Sequence, residues 1–151
     1  MSTPKPPIGD TRPADCLRVL GFDYGELRIG VAAGQTITAT AEPLETLKNR
    51  ERHAPDWTAI GQLIERWRPD LLLVGVPRRD DGGEYEVTPR AQRFGRRLNG
   101  RFQLPVLEVD ERLSSWEAQE RLGTRHAGPI DAMAAAVIVE TWLDARRRVT
   151  D

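Results

Sequence analysis

The chain has 151 residues, the length of one compact domain, and 39% of them are hydrophobic and 30% charged. This balance excludes an intrinsically disordered chain, which has fewer apolar residues, and a membrane-spanning bundle, because no apolar run reaches the ~18 residues that a spanning helix needs. The net charge of −1 gives no overall attraction to nucleic acid, although the 22 basic residues include only two lysines, Lys5 and Lys48, and are otherwise arginines.

Residues 1–15 differ in composition from the rest of the chain. They contain four prolines and no apolar periodicity, so we expect a disordered N-terminal arm followed by a single domain over residues 16–151. The arm has no apolar segment of the kind found in secretory signals, and Cys16, the only cysteine, cannot form an internal disulfide. These features predict a cytoplasmic protein with no membrane partner.

The domain begins with a pattern typical of an antiparallel meander. Leu17–Asp23 is predicted to be a buried strand that ends on a carboxylate, and a tight turn over residues 24–26 leads to a returning strand over Ile29–Ala33. A third strand is expected around Ile37–Glu42, before Pro43.

A helix and a parallel strand follow the meander. Asp56 can cap the helix and Pro69 can end it. Leu71–Val76 is apolar on both faces, which is typical of a central parallel strand covered by helices. The apolar stripe of the helix consists of Ile60, Leu63, Ile64 and Trp67.

The rest of the chain alternates helix and strand. After a polar loop over residues 78–87, Thr88 and Pro89 are predicted to begin a helix that runs to about Leu98, and Leu104–Asp110 is the last strand. A meander followed by this alternation predicts an α/β fold, with a mixed five-stranded sheet and helices on both faces.

Two more helices are expected after the last strand. Ser114 and Glu117 form a capping box that opens a helix ending near Leu122, and Ile130–Ala145 is the final helix. The residues of the final helix expected to face the core are Met133, Ala134, Val137, Ile138 and Trp142.

Acidic residues stand where predicted elements end or begin. Asp23 closes the first strand, Asp110 and Glu111 follow the last strand, and Asp131 opens the final helix. Carboxylates that converge from separate segments are the ligands that hard divalent cations need, and such cations activate water for attack on a phosphodiester. Acids at these positions are also ordinary capping residues, so spacing alone leaves both interpretations open.

Four segments together resemble the YqgF family. They occur in the family's order and span about residues 19–143, which is nearly all of the chain outside the arm. The family's members are described both as Holliday junction resolvases and as pre-16S rRNA nucleases. The four segments are Leu20–Ala32, Val74–Pro77, Asp110–Ser115 and Asp131–Ala135.

The resemblance implies a ribonuclease H-like fold related to the RuvC resolvases, and a nuclease that depends on Mg²⁺ or Mn²⁺. The positions that match the family's catalytic and metal-binding acids are Asp23, Glu111 and Asp131. Strand alternation puts Glu111 on the opposite face from Asp110, and Asp110 remains the alternative ligand.

The resemblance also implies basic positions that contact nucleic acid. Arg28 and Arg112 match the family's basic residues beside the acids. Leu27 departs from the pattern, because a lysine is frequent there, and the loop before Asp131 is less basic than in many relatives. His126 in that loop either moves a proton or is an exposed loop histidine.

The second predicted helix carries arginines on one side. Arg93 and Arg97 are the candidates for contact with a nucleic-acid backbone, and the alternative is a solvated helix face. The four tryptophans are expected in the core rather than stacked on bases, and His53, beside Arg52, is expected to have no partner. The arginines on this side are Arg90, Arg93, Arg97 and Arg101.

These observations predict a metal-dependent hydrolase that processes the 5′ end of pre-16S rRNA during ribosome biogenesis, as a monomer or weak homodimer. One alternative is a Holliday junction resolvase that cuts branched DNA on the same acids. An alternative of another class is a non-catalytic RNA-binding ribosome-assembly factor, which would have no need of metal-binding acids.

Overall fold

The structure is a computed structural model that describes residues 16–113, 120, 123 and 130–150. The predicted arm over residues 1–15, the capping box of Ser114 and Glu117, and His126 lie outside the described residues.

One mixed sheet of five strands organises these residues, in the order β3-β2-β1-β4-β5. The first three strands pair antiparallel, whereas β4 lies parallel to β1 and β5 parallel to β4. This arrangement confirms the predicted α/β fold class. The strands are β1 (Arg18–Asp23), β2 (Arg28–Gln35), β3 (Thr40–Lys48), β4 (Leu71–Val76) and β5 (Val106–Asp110).

The third strand lies further along the chain than predicted. Residues 36–39 form the hairpin turn, and β3 then runs through Pro43 to Lys48. Pro43 pairs with Ala32 beside a register shift between Val31 and Ala32. Proline is tolerated there because β3 is an edge strand and because a bulge removes the need for a ladder hydrogen bond.

In the described ranges 16–113 and 130–150, three α-helices cover the sheet: α1 (Trp57–Trp67), α2 (Thr88–Phe102) and α3 (Ile130–Thr150). Asp56 caps α1 as predicted, accepting a hydrogen bond from the Ala59 N–H at 3.1 Å. Helix α2 runs past the predicted end at Leu98, because the chain turns only at Gln103, which adopts a left-handed conformation. Helices α1 and α2 pack on one face of the sheet and α3 on the other, as two separate apolar clusters.

The predicted inward face of α3 was wrong by about one residue. Of the five predicted residues only Ile138 is fully buried, while Met133, Val137 and Trp142 pack at the margin and Ala134 is half-buried. Small side chains turn toward the sheet instead, because they allow the helix to approach it closely. The buried apolar residues of α3 are Ala132, Ala135, Ala136, Ile138, Val139 and Leu143.

Glycines in the strands make this approach possible. A Cβ atom on Gly30 of β2 would overlap the backbone carbonyl of Asp131, and one on Gly21 of β1 would come within 2.5 Å of Val139 Cγ2. The N-terminus of α3 therefore packs directly on the beginning of β2, which places Asp131 beside the sheet. No helix within the described ranges is long and apolar enough to cross a membrane.

Candidate active site

The candidate site lies where β1, β4 and β5 end, on the face covered by α3. These three strands are parallel to one another, so their C-terminal ends meet at one edge of the sheet, where α/β proteins place ligands. Asp23 is the last residue of β1, and Glu111 begins a short 3₁₀ turn that follows β5. A cavity of about 530 Å³ opens there, lined by Asp23, Val109, Glu111, Met133, Ala134, Val137, Ile138 and Thr141.

Asp23 and Glu111 form a carboxyl pair in this cavity. The two side chains lie within hydrogen-bonding reach of each other, and this contact contributes to the raised pKa of Asp23. Burial, followed by the charges of Glu111 and Asp131, raises the pKa of Asp23 to about 7. Burial and the charge of Asp110 also raise the pKa of Glu111. The surroundings of the pair therefore favour a bound proton or a cation.

Gly75 of β4 leaves the space that Glu111 occupies. A Cβ atom at Gly75 would lie 2.7 Å from Glu111 Oε1 and 2.3 Å from Ile138 Cδ1. The segment Val74–Pro77 contains no acid, but its glycine, Gly75, has no side chain and so leaves room for the Glu111 carboxyl group.

Asp131 lies in the first turn of α3 and contacts Arg28 rather than the carboxyl pair. The distance from Arg28 Nε to Asp131 Oδ2 is 3.3 Å, and the arginine side chain is 61% exposed. Asp131 is nevertheless close enough for its charge to raise the pKa of Asp23. The structure thus brings all three predicted acids and Arg28 to one end of the sheet, with Asp131 held by the arginine.

Asp110 points away from the pair and is held by Arg112. Arg112 Nε lies 3.1 Å from both carboxylate oxygens of Asp110, and Arg112 Nη2 lies 2.7 Å from Asp110 Oδ2. Hydrogen bonds from Arg112 lower the pKa of Asp110. Arg112 Nη1 also donates to the Arg79 carbonyl at 3.3 Å, so this arginine ties the end of β5 to the loop after β4.

Arg93 and Arg97 lie on α2, on the opposite face of the sheet from Glu111. The Arg97 guanidinium stands over the Trp57 ring at 5.0 Å, and Arg101 stands over the same ring at 4.4 Å. Trp57, the first residue of α1, also packs against Phe94 and Phe102 of α2, so it lies half-buried at the margin of the core rather than fully inside it.

The expectation that His53 has no partner was wrong. Its Nδ1 lies 2.9 Å from the Tyr24 hydroxyl oxygen, a contact between residues 29 positions apart in sequence. No spacing rule predicts such a contact, because it depends on the loop after β3 folding back onto the turn after β1. Tyr24, which follows Asp23 directly, was predicted only as part of the turn over residues 24–26 and not as a functional residue.

The carboxyl pair has the donor chemistry for a hard divalent cation, which takes oxygen ligands. Within the described residues no group of three histidine, cysteine or acidic side chains is already arranged as a metal site. Asp131 pairs with Arg28 instead of joining Asp23 and Glu111. The oxygen donors of Asp23 and Glu111, which are partly buried and have raised pKa values, fit a divalent cation.

Comparison with known proteins agrees with this geometry. The model of the family described as "RuvX: Holliday junction resolvase" matches residues 17–145. The chain belongs to the RuvX family. Its relatives include proteins of Paraburkholderia phymatum, 52% identical over 83% of this chain and 84% of the other, and Pseudomonas putida, 48% identical over 87% and 98%. Both carry the name "Putative pre-16S rRNA nuclease", and membership of the RuvX family makes this chain a nuclease.

Solved structures support the fold. Thermus thermophilus RuvC in complex with a Holliday junction substrate superimposes with a TM-score of 0.61 at 18% identity, covering 87% of this chain and 96% of RuvC. A second T. thermophilus RuvC structure gives a TM-score of 0.56 at 17% identity, covering 87% and 97%. The RuvX family thus shares the ribonuclease H-like fold of RuvC, as the sequence resemblance implied.

Proposed function

We propose that this RuvX-family nuclease is a metal-dependent hydrolase that processes the 5′ end of pre-16S rRNA in the cytoplasm, using Asp23, Glu111 and Asp131. The observation that carries the proposal is the Asp23–Glu111 pair at the C-terminal ends of the parallel strands, where two partly buried carboxyl groups with raised pKa values lie together. Residues 16–151 would act as a single nuclease domain.

Asp23, Glu111 and Asp131 would hold Mg²⁺ or Mn²⁺. A bound cation would supply an activated water and stabilise negative charge on the leaving oxygen. Arg28, whose guanidinium lies 3.3 Å from the Asp131 carboxylate, would bind a phosphate oxygen of the substrate beside these acids.

The preference for RNA is supported by the names of the relatives and by the charge distribution. The chain has a net charge of −1, so strong nonspecific binding to the four phosphate-dense arms of a junction is not expected. Arg28 and Arg112 beside the acids, together with Arg93 and Arg97 on α2, would contact one nucleic-acid strand. Arg112 would contact the strand while it remains hydrogen-bonded to Asp110, an interaction that also fixes the turn containing Glu111.

Holliday junction resolution is the second candidate function. Two observations favour it: the description of the RuvX family and the similarity of fold to a RuvC that is bound to a junction. A resolvase must cut two strands symmetrically, so this function needs a dimer, whereas trimming of one RNA strand can be done by a monomer.

A cleavage assay with matched substrates tests the proposal. The full chain is given single-stranded precursor rRNA, duplex DNA and a four-way DNA junction in one buffer, with Mg²⁺ and Mn²⁺ tried separately. We expect metal-dependent cleavage of RNA faster than of the junction. Paired symmetric nicks in the junction with intact RNA would assign the protein to the resolvases, and RNA binding without any cleavage would make it an assembly factor.

A further inference from the structure

A second cavity lies at the same end of the sheet, on the face opposite the carboxyl pair. Its volume is about 400 Å³, within the ~300–1,000 Å³ range of small-ligand sites. Arg52 is paired with Glu26 at its rim, whereas no ion pair is recorded between Arg90 and another described residue. The cavity is lined by Glu26, Arg52, His53, Glu86, Val87 and Arg90.

His53 is held in this cavity in a conformation that histidine seldom adopts. Its φ is 59°, in the left-handed region, and such a residue persists only where its surroundings fix it. The His53 N–H donates to the Glu26 carbonyl at 2.9 Å, and the Asn49 side chain donates to the carbonyls of Gly25 and Glu26. The loop after β3 is thus fastened to the turn after β1, which fixes the backbone position of His53.

Tyr24 and His53 form one nearly flat surface. Their ring planes differ by only 12°, their centroids are 6.3 Å apart, and the Tyr24 hydroxyl meets His53 Nδ1 at 2.9 Å. A hydrogen bond at the ring edges and this centroid distance mean that the rings lie side by side rather than face to face. Phe94 packs against Tyr24, with centroids 5.3 Å apart. A flat, half-exposed aromatic surface is what a nucleobase stacks on.

Arginines of α2 surround this aromatic surface. A smaller cleft of about 40 Å³ adjoins the first cavity, and both are bordered by His53 and Arg90. Burial raises the pKa of Tyr24, while Arg90, Arg97 and Arg93 act to lower it, so all three guanidiniums are near the phenol. Guanidinium groups bind phosphate with two parallel hydrogen bonds. The cleft is lined by Tyr24, His53, Pro55, Arg90, Arg93, Phe94 and Arg97.

From this arrangement, and resting on the proposed nuclease function, we propose that Tyr24, His53 and Arg90 form a subsite for one unpaired nucleotide of the substrate strand. The base occupies the 400 Å³ cavity against His53, at the side where the cleft lined by Tyr24 adjoins it, and Arg90 and Arg93 bind the flanking phosphates. Asp23 and Tyr24 are consecutive in sequence and point to opposite faces of the sheet. A nucleic-acid strand that crosses the end of the sheet from the carboxyl pair therefore reaches this subsite next. A base in a duplex would first have to leave its stack, so the subsite selects single strands.

Binding of a short single-stranded RNA tests the subsite without any cleavage. Fluorescence anisotropy of the full-length protein in EDTA is measured for wild type, Arg90→Ala and the control Arg96→Ala, which removes an exposed arginine of the same helix outside both cavities. We expect Arg90→Ala to weaken binding about tenfold and to reduce the salt slope by ~0.7, the value for one phosphate contact on a single strand. Arg96→Ala should change affinity less than about twofold.

An abasic scan tests the base contact. A single abasic residue is moved along the same RNA, and one position should weaken binding to wild type by about tenfold, the scale of one stacked base. In His53→Ala that position should lose its effect. His53→Asn is the second variant if His53→Ala fails to fold, because asparagine tolerates a positive φ. The same sequence as duplex RNA should bind more weakly than the single strand.

Two outcomes would overturn the subsite: equal losses for Arg90→Ala and Arg96→Ala, which would indicate a diffuse basic face, or a flat abasic scan. Both are read without metal, so they are separate from the proposed catalysis. Wild type that binds as expected but never cleaves RNA with Mg²⁺ or Mn²⁺ would refute the nuclease function and leave the subsite standing. Normal cleavage with a flat scan would do the reverse.

Discussion

The two faces of the sheet carry opposite charge at the same end. On the α3 face, Asp23 and Glu111 lie together, and burial raises the pKa of both carboxyl groups. On the α2 face, three arginines surround Tyr24 and His53. The alternation of β1 separates the two, since Asp23 and its neighbour Tyr24 point in opposite directions. The end of one strand thus lies between the proposed cation site on one face and the proposed nucleotide subsite on the other.

The largest expected effect is on the acidic face. Asp23→Asn removes one charge of the carboxyl pair, so we expect metal-dependent cleavage to fall by more than about a hundredfold while the fold is kept. A cleavage assay measures the rate, and circular dichroism establishes that the variant is folded. A folded variant with the wild-type rate would show that the pair is not the catalytic centre.

The next prediction separates the two neighbouring acids after β5. Glu111→Gln should abolish cleavage, because Glu111 meets Asp23, whereas Asp110→Asn should cost about tenfold, because it only loosens the turn held by Arg112. The same assay ranks the two variants. A larger loss for Asp110→Asn would move the site by one residue.

Replacement of a glycine by alanine should change the free energy of unfolding in opposite directions on the two faces of the sheet. Gly30→Ala should destabilise the fold by several kcal/mol or prevent folding, because its Cβ would overlap the Asp131 backbone. Gly100→Ala on α2 meets nothing within 4 Å and should stabilise the fold by about 0.5–1 kcal/mol, since alanine favours a helix. Urea unfolding of both variants measures the difference, and a tolerated Gly30→Ala would contradict the close approach of α3.

A smaller effect is the pH dependence of stability without metal. The pKa of Asp23 is raised to about 7 in the fold from 3.8, so folding takes up a proton between these values and stability falls as pH rises from about 4 to 7. In EDTA we expect the Tm to be lower at pH 8 than at pH 5.5 by at least about 3 °C, the order of 1 kcal/mol for a chain of this size. Calorimetry measures the Tm.

The control for this titration is Asp23→Asn, which cannot take up the proton and should lose the difference between the two pH values. Mg²⁺ should raise the Tm more at pH 8 than at pH 5.5, because the cation competes with the proton. An unchanged pH dependence in Asp23→Asn would assign it to another group.

The order of elements, the sheet and the position of the acids at strand ends could all be predicted from the sequence, because apolar runs such as Leu71–Val76 and caps such as Asp56 act locally. The inward face of α3 could not be predicted from its own periodicity. That face is set by Gly21 on β1 and Gly30 on β2, which leave room for α3. Their effect on the helix can be recognised only when the pairing of the strands is known.

The candidate site divides in the same way. Asp23, Glu111 and Asp131 were identified through the family resemblance. The proximity of Asp23 and Glu111 follows from parallel strands ending together, whereas Asp131 reaches them because α3 packs closely on Gly30. The Tyr24–His53 contact depends on an irregular loop with a left-handed residue, for which neither spacing nor propensity gives a signal. The ion pair between Arg28 and Asp131 also required the structure.

The smallest expected effect concerns the arginines on the α2 face of the sheet. The Arg97 guanidinium lies over the Trp57 ring, whereas Arg93 is exposed to solvent. Replacing both with alanine should weaken binding of single-stranded RNA similarly for every sequence, because phosphates carry no sequence information. The salt slope should decrease by ~0.7 for each lost contact.

Arg101→Ala is the matched control for this double variant, because Arg101 also stands over Trp57 but lies outside the cleft beside Tyr24. If loss of the contact with Trp57 were what mattered, Arg101→Ala would reduce binding as much as the double variant does. We expect instead that Arg101→Ala leaves the salt slope unchanged, because its guanidinium lies one turn further along α2 from the sheet end where the substrate strand crosses. Anisotropy titrations at three salt concentrations decide between these outcomes. If the salt slope falls equally in Arg101→Ala and in the double variant, the whole exposed face of α2, rather than its first turns, contacts the substrate.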